Sequence, residues 1–431
     1  MNHSFPLRPR LFEALKNYSR HDFSADLGAG ATVGIVALSL SMALGTASNS
    51  TPAAGIYTAI VAGFLISALG GSKVQIGGPT AAFIPVVVSV SAVYGPANLI
   101  ICTMLAGLML IGMGAARLGT MIKFIPLPVT AGFTAGIAVV IFSTQVKDFL
   151  GLTVEKNSGE FIERLELLWR SLHTIHWKSL GLAAASLALI KLWPASLGRR
   201  LPSSIVAVLL GILAVALFGL HVETIGSRYG LTAIPQSLPL PHWPEFNFDQ
   251  LGNLIRPAFT IALLGAIESL LSAVVADGMI SDRHDSNTEL MAQGLANVGS
   301  ALFGGLPATG AIARTATNIR SGARSPVAGM IHALTLLGVI LAAAPLARFI
   351  PLATLSAVLV VVALNHGRVA QFHPPAPLAQ ERCDRLPCDL CVDRTLRHHH
   401  RRRSRHGARR LPLHPPHRGD HAHQRRGRGG L

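Results

Sequence analysis

The sequence predicts an all-α membrane protein of many spans, folded as two inverted repeats. Three observations carry that prediction. Of 431 residues, 50% are hydrophobic and only 13% charged, about half the charged share of a soluble domain, so the chain cannot cover a globular surface. Apolar stretches of about 17–22 residues recur, the length at which a helix crosses the hydrocarbon core. A Gly-Gly element followed by Pro and Thr occurs once in each half. The same figures exclude a soluble enzyme, a disordered chain and a disulfide scaffold.

Residues 1–26 are polar and basic, with Arg8, Arg10, Lys16 and Arg20. The first apolar run begins near Leu27 and lacks a cleavage-like end, so no signal peptide is expected and the segment reads as cytoplasmic. Hydropathy then gives twelve segments: 27–47, 53–70, 79–94, 97–115, 125–146, 179–195, 202–220, 256–277, 289–304, 308–319, 326–345 and 350–365. Together they define a membrane domain over 27–366. With the amino terminus inside, the inner loops collect Arg117, Lys123, Arg199, Arg200, Arg283, Arg320 and Arg324, as the positive-inside rule demands. The two long outer loops, 147–178 and 221–255, balance their charges. Within the first, 159–172 reads as a surface helix with Phe161, Ile162, Leu165, Leu168 and Trp169 on one face.

The repeat is the more informative feature. Gly77-Gly78-Pro79-Thr80 precedes one short apolar segment, and Gly304-Gly305-Leu306-Pro307-Ala308-Thr309 precedes another. Paired broken segments in corresponding positions of two halves point to an inverted-repeat transporter. A helix that starts in mid-membrane leaves its first amides unpaired, and with the positive macrodipole end they form an anion site. Pro79 and Pro307 suit helix starts, where a missing N–H costs nothing. Gly78 permits close backbone approach, and Thr309 falls where Thr80 does in the first half. Lys73–Ile76 alternates and is expected to be extended. Arg314 is expected about two turns into the second broken segment, reinforcing its positive field. Plain turns and a snorkelling arginine are the structural alternatives.

Glu268 stands inside an apolar segment, where a carboxylate is costly and by default faces a cavity. Ser272 lies four residues on and shares its face. The pair suits cation coordination or proton relay; the alternative is an ion pair between Glu268 and Arg314. Asp277 is expected to cap the helix end.

At this point the chain resembles a known family. Pro52-Ala-Ala-Gly55-Ile-Tyr57-Thr58-Ala59, then Phe64-Leu-Ile66 and Gly70-Gly-Ser-Lys73, is similar to the signature of the sulfate permease (SulP) family. Gln75–Thr80, Leu263–Ser269 and Gly304–Thr315 fit the same pattern, and the resemblance covers roughly residues 20–366. It implies fourteen segments in two inverted repeats of seven, of the uracil permease-like kind. Segments 1–4 and 8–11 would form a core that moves against a gate of 5–7 and 12–14. It further implies a small inorganic anion as cargo, with Leu40, Leu44, Thr80, Ala313 and Arg314 lining its site. Glu268 and Ser272 would serve a coupling H+ or Na+. An inner-membrane location and a homodimer follow from the same resemblance. Ser39 replaces the proline usual in segment 1. A C4-dicarboxylate or nucleobase carrier on the same fold is the competing reading. No metal, cofactor or nucleic-acid partner is expected, and no nucleophile elbow, P-loop or metal-ligand helix is present to support an enzyme.

After residue 366 the composition changes abruptly. The stretch 367–431 holds 15 of the Arg residues, no Lys, and Cys383, Cys388 and Cys391. Zinc, nucleic-acid and anionic-lipid binding are the functional readings of such a stretch. Its lysine-free Arg/His/Pro composition is that of a GC-rich gene read out of register. On that reading two further helices and the family's STAS domain are missing, and a transport-inactive copy with an incomplete gate is the expectation.

Overall fold

The computed structural model describes residues 7–122, 127–154, 161–194, 197, 202–230, 234–237, 240–244 and 248–369. Lys123, Arg199 and Arg200, and the tail cysteines Cys383, Cys388 and Cys391, lie outside the described residues.

After a short α1 (Arg10–Leu15), α2 runs over Arg20–Ala47 and starts seven residues before its apolar stretch. The reason is local: the Ser19 hydroxyl accepts from the Asp22 amide at 3.1 Å, and the Asp22 carboxylate accepts from the Ser19 amide at 3.1 Å. This capping box nucleates the helix in polar sequence. In α3 (Pro52–Leu69), Thr51 caps the Ala54 amide and Pro52 takes the first position. The two-residue strand β1 (Gly77–Gly78) follows, then a 3-10 turn over Ala81–Phe83 that runs into α4 (Ile84–Tyr94). The first half continues through α5 (Pro96–Ala115), α6 (Gly119–Ile122), α7 (Leu127–Leu150), α8 (Phe161–Arg170), α9 (Trp177–Leu192), α10 (Ser203–Phe218) and α11 (Ile225–Tyr229). The second holds α12 (Phe248–Ile280), α13 (Ser286–Leu302), β2 (Thr309–Gly310), α14 (Ile312–Arg320), α15 (Val327–Ala347) and α16 (Leu352–Val369).

The order long helix, long helix, strand, short helix, long helix occurs twice, as α2-α3-β1-α4-α5 and as α12-α13-β2-α14-α15. Each of the twelve hydropathy segments corresponds to one helix. Five described helices are long and apolar enough to span a membrane: α2, α3, α5, α15 and Leu251–Ile280 within α12. Residues 81–94, 203–218 and 352–365 are shorter apolar helices. Large side chains such as Leu209, Leu213 and Leu217 on α10, and Leu334 and Leu341 on α15, are exposed. Outward leucines cost nothing against hydrocarbon, which explains why these helices need no polar face.

One apolar core joins α4, α5, α12 and α13 through Phe83, Val87, Cys102, Leu110, Ile261 and Leu290. Here α5 and α13 cross at Gly107 and Gly294, where a Cβ on Gly107 would lie 2.7 Å from the Gly294 carbonyl. Small residues permit this backbone contact between membrane helices. A second core joins α2, α15 and α16 through Ala37, Leu44, Leu336, Ile340 and Leu355, with Ile141 of α7 and Val208 of α10 leaning on it.

Polar contacts pin both ends of the bundle. Near the amino terminus, buried Asp26 accepts from the Tyr18 hydroxyl at 2.8 Å and the Arg324 amide at 2.7 Å. At the other end, Arg228 pairs with Asp148 at 2.7 Å and with Glu223, fastening α11 to the end of α7. Burial opposes the Arg228 charge, but the two carboxylates outweigh it and raise its pKa. Asp277 does not end its helix: it accepts from the His284 amide at 3.1 Å and holds the link to α13.

Candidate functional site

The two broken segments meet. β1 and β2 pair antiparallel, Gly77 opposite Gly310 and Gly78 opposite Thr309. The Ala311 amide extends the pairing by donating to the Ile76 carbonyl at 2.8 Å. The ladder therefore lies at 77–78, and Lys73–Ile76 is an irregular approach to it rather than the strand expected from alternation. From its two ends the chain enters helix, at Ala81 and at Ile312. Neither Thr80 nor Ala311 caps its helix with a side chain. Two sets of first-turn amides and two positive dipole ends thus flank one ladder. Neither proline stands at a helix start: Pro79 lies between β1 and the N-cap Thr80, and Pro307 precedes β2 because Thr309–Ala311 is taken up in strand pairing. For the same reason Arg314 is the third residue of α14, in its first turn rather than its second.

Side chains from the opposite half or a neighbouring helix brace each break. Thr315 accepts from the Ile76 amide at 3.0 Å, and Asn318 donates to the Val74 carbonyl at 2.9 Å. Thr58 of α3 accepts from the Leu306 amide at 2.6 Å. Asn297 of α13 binds both backbone groups of Ala308, each at 2.8 Å. Ser269 meets the Thr309 hydroxyl at 2.5 Å, and Gln75 donates to the Ser269 carbonyl at 3.1 Å. Extended backbone inside a membrane needs such partners, since no lipid group can supply them.

Arg314 is 3% exposed. Its Nη2 donates to the Pro79 carbonyl, while Nε and Nη1 have no hydrogen-bond partner among the described residues. Gly78 makes room for it: φ is +142°, and a Cβ there would lie 2.7 Å from Nη1. Glu268 does not pair with Arg314; its Oε2 accepts from the Thr80 hydroxyl at 2.9 Å. Ser272 lies one turn beyond Glu268 on α12, and its hydroxyl is 3.3 Å from that of Thr315. At that level α12 meets α14, whereas one turn earlier Glu268 meets Thr80 at the first break. Leu44 is buried and Leu40 half-buried along α2, and Ala313 is exposed beside the inward-turned Arg314.

His332 of α15 escaped the sequence reading. It is fully buried, and neither ring nitrogen has a hydrogen-bond partner among the described residues. The signal was present, since a histidine within the apolar stretch 326–345 obeys the same rule that singled out Glu268. Below the site, Lys73 pairs with Asp282 at 3.0 Å. Burial would raise the Asp282 pKa, but the Arg283 amide and Lys73 outweigh it and hold it low.

Comparison with known proteins gives a consistent result. Residues 23–370 match the model of the sulfate permease family. The chain is 46% identical over 352 residues to YvdB of Bacillus subtilis, covering 81% of this chain and 66% of that protein. It is 35% identical over 346 residues to the bicarbonate transporter BicA of Synechocystis, covering 78% of this chain and 60% of that protein. The chain thus spans about two thirds or less of the length of these relatives. The solved transmembrane domain of a cyanobacterial BicA superposes with a TM-score of 0.75 at 32% identity, covering 84% of this chain and 94% of that one. Murine Slc26a9 in its inward-facing state shares the fold, with a TM-score of 0.75 at 19% identity over 86% of this chain and 65% of that one.

Proposed function

The chain belongs to the sulfate permease family, a seven-plus-seven inverted-repeat fold, and from that premise we propose that it carries a small inorganic oxyanion of the sulfate or bicarbonate class across the inner membrane. The observation that carries this reading is the ladder flanked by two uncapped helix starts, with the buried Arg314 guanidinium beside it. Uncapped amides and a cation with free N–H groups are what an oxyanion needs from a site that water does not fill. Thr80 and the first amides of the 3-10 turn and of α14 bind the anion, Leu40, Leu44 and Ala313 line its seat, and Arg314 supplies the charge.

Transport proceeds by movement of α2–α5 and α12–α15 against α7, α9, α10 and α16. Support comes from the packing: α4, α5, α12 and α13 share one core, whereas α7, α10 and α16 meet α2 and α15 across the other. The amino terminus is cytoplasmic, in keeping with the arginines that gather at that end. The Thr80–Glu268 hydrogen bond links the anion seat to a carboxylate, so Glu268 couples anion movement to H+ or Na+. Ser272 belongs to the Thr315 contact and helps hold α14 against α12.

Glu268→Gln separates coupling from binding. The amide keeps a partner for Thr80 but carries neither charge nor exchangeable acid. In proteoliposomes, labelled sulfate or bicarbonate should still equilibrate, and accumulation driven by a proton or sodium gradient should be lost. Gradient-driven accumulation equal to that of the unsubstituted chain removes Glu268 from coupling.

A further inference from the structure

We infer that His332 is a specificity-determining residue of the anion site, which selects an oxyanion that still carries a proton, such as bicarbonate, over one that carries none, such as sulfate. The inference rests on the anion site proposed above and adds a residue from α15 to it.

Placement comes from one face of α3. Ala59, Gly63 and Ser67 follow at four-residue intervals and share that face. A Cβ on Gly78 would lie 3.3 Å from the Ala59 Cα and 2.7 Å from Arg314 Nη1. One turn along, a Cβ on Gly63 would lie 3.2 Å from the Gly77 carbonyl, 3.5 Å from His332 Cε1 and 3.6 Å from its Nδ1. Arg314 therefore meets β1 at Gly78, opposite Ala59, and His332 stands beside Gly63, about one helical turn (~5.4 Å) further along α3. Gly63, which has no side chain, stands beside both the imidazole and the Gly77 carbonyl, with the Ile66 side chain packed on Gly77 next to it.

Chemistry then decides what His332 contributes. A buried imidazole with no well-formed hydrogen bond to either nitrogen, only a weak backbone contact to Gly329, is worse for stability than a leucine of similar size, so packing does not account for it. Arg314 and the helix amides are donors only, and they suit any oxyanion. A neutral imidazole adds one donor and one acceptor. Bicarbonate presents both kinds of group: its charged oxygens accept from Arg314 and the amides, and its O–H donates to the imidazole lone pair. Sulfate has no O–H, so the imidazole acceptor gains nothing from it. Ser67, whose hydroxyl is likewise buried without a partner, extends the polar face by a further turn.

The test measures the affinity of the purified 431-residue chain in detergent for sodium bicarbonate and sodium sulfate at about pH 8, from protection against thermal unfolding. The unsubstituted chain should favour bicarbonate. His332→Leu should fold and unfold at or above the original temperature, and lose bicarbonate affinity by about tenfold with sulfate affinity little changed. His332→Gln, which keeps a donor and an acceptor, should retain the preference within about threefold. Equal affinities in the unsubstituted chain, or an undiminished bicarbonate preference in His332→Leu, overturn the inference. Failure of the underlying site reads differently: Arg314→Gln then leaves both affinities intact, whatever His332 does.

Discussion

Replacing Arg314 with glutamine lowers sulfate affinity at least about 30-fold, the scale at which losing one partner of a buried charge pair is felt. Arg314 is buried, and it is fixed at one point only, the Pro79 carbonyl. The rest of the guanidinium has no hydrogen-bond partner among the described residues, and the nearby Glu268 carboxylate is engaged by Thr80 rather than bonded to it. A buried cation in that condition is sustained by what it binds. Arg314→Lys should recover part of the loss, because a lysine keeps the charge but lacks the planar fork that meets two oxygens at once. Thermal-shift titration of the purified chain with sodium sulfate reads all three affinities on one scale. Sulfate protection of Arg314→Gln that matches the unsubstituted chain would sink the anion site as placed.

Asn297→Ala should lower stability by about 3 kcal/mol or more without touching any ligand. The Asn297 amide group clamps the N–H and C=O of Ala308 and also donates to the Gln293 carbonyl, all at 2.8 Å. Alanine leaves two buried backbone groups unbonded just before β2, in a region where no water replaces the partner. The expected reading is a broadened gel-filtration profile in detergent and a lowered unfolding midpoint. Asn297→Asp keeps an acceptor for the Ala308 amide and loses both donated bonds, so its midpoint should fall between the two. An unchanged midpoint in Asn297→Ala would show that the clamp contributes no stability.

Much of this architecture was legible in the residues. Hydropathy located every long helix, since apolar length is a local property: 53–70 became Pro52–Leu69, and 97–115 became Pro96–Ala115. The repeated Gly-Gly element located the two breaks. What local reading missed were contacts between residues far apart in the chain. Thr309–Gly310 became strand because Gly77 and Gly78 lie opposite, which delayed α14 and moved Arg314 to its first turn. Ser272 also meets Thr315 because α14 crosses α12 there, a contact that four-residue spacing does not contain. α2 began early for the opposite reason, a capping box whose signal is local but polar, and therefore outside a hydropathy window.

The cross-bracing of the two breaks has a consequence for biogenesis. Among the described residues neither strand has a partner within its own half, and Arg314 closes on Pro79 from 235 residues away. At ribosomal rates of about 5–20 residues per second, the first break enters the bilayer roughly ten to fifty seconds before its complement exists. During that interval the groups on Gly77 and Gly78 wait for Thr309 and Gly310. The first repeat must therefore be delivered unfinished and kept in a protected setting. Final closure of the bundle is then a late, cooperative event set by synthesis of the second repeat.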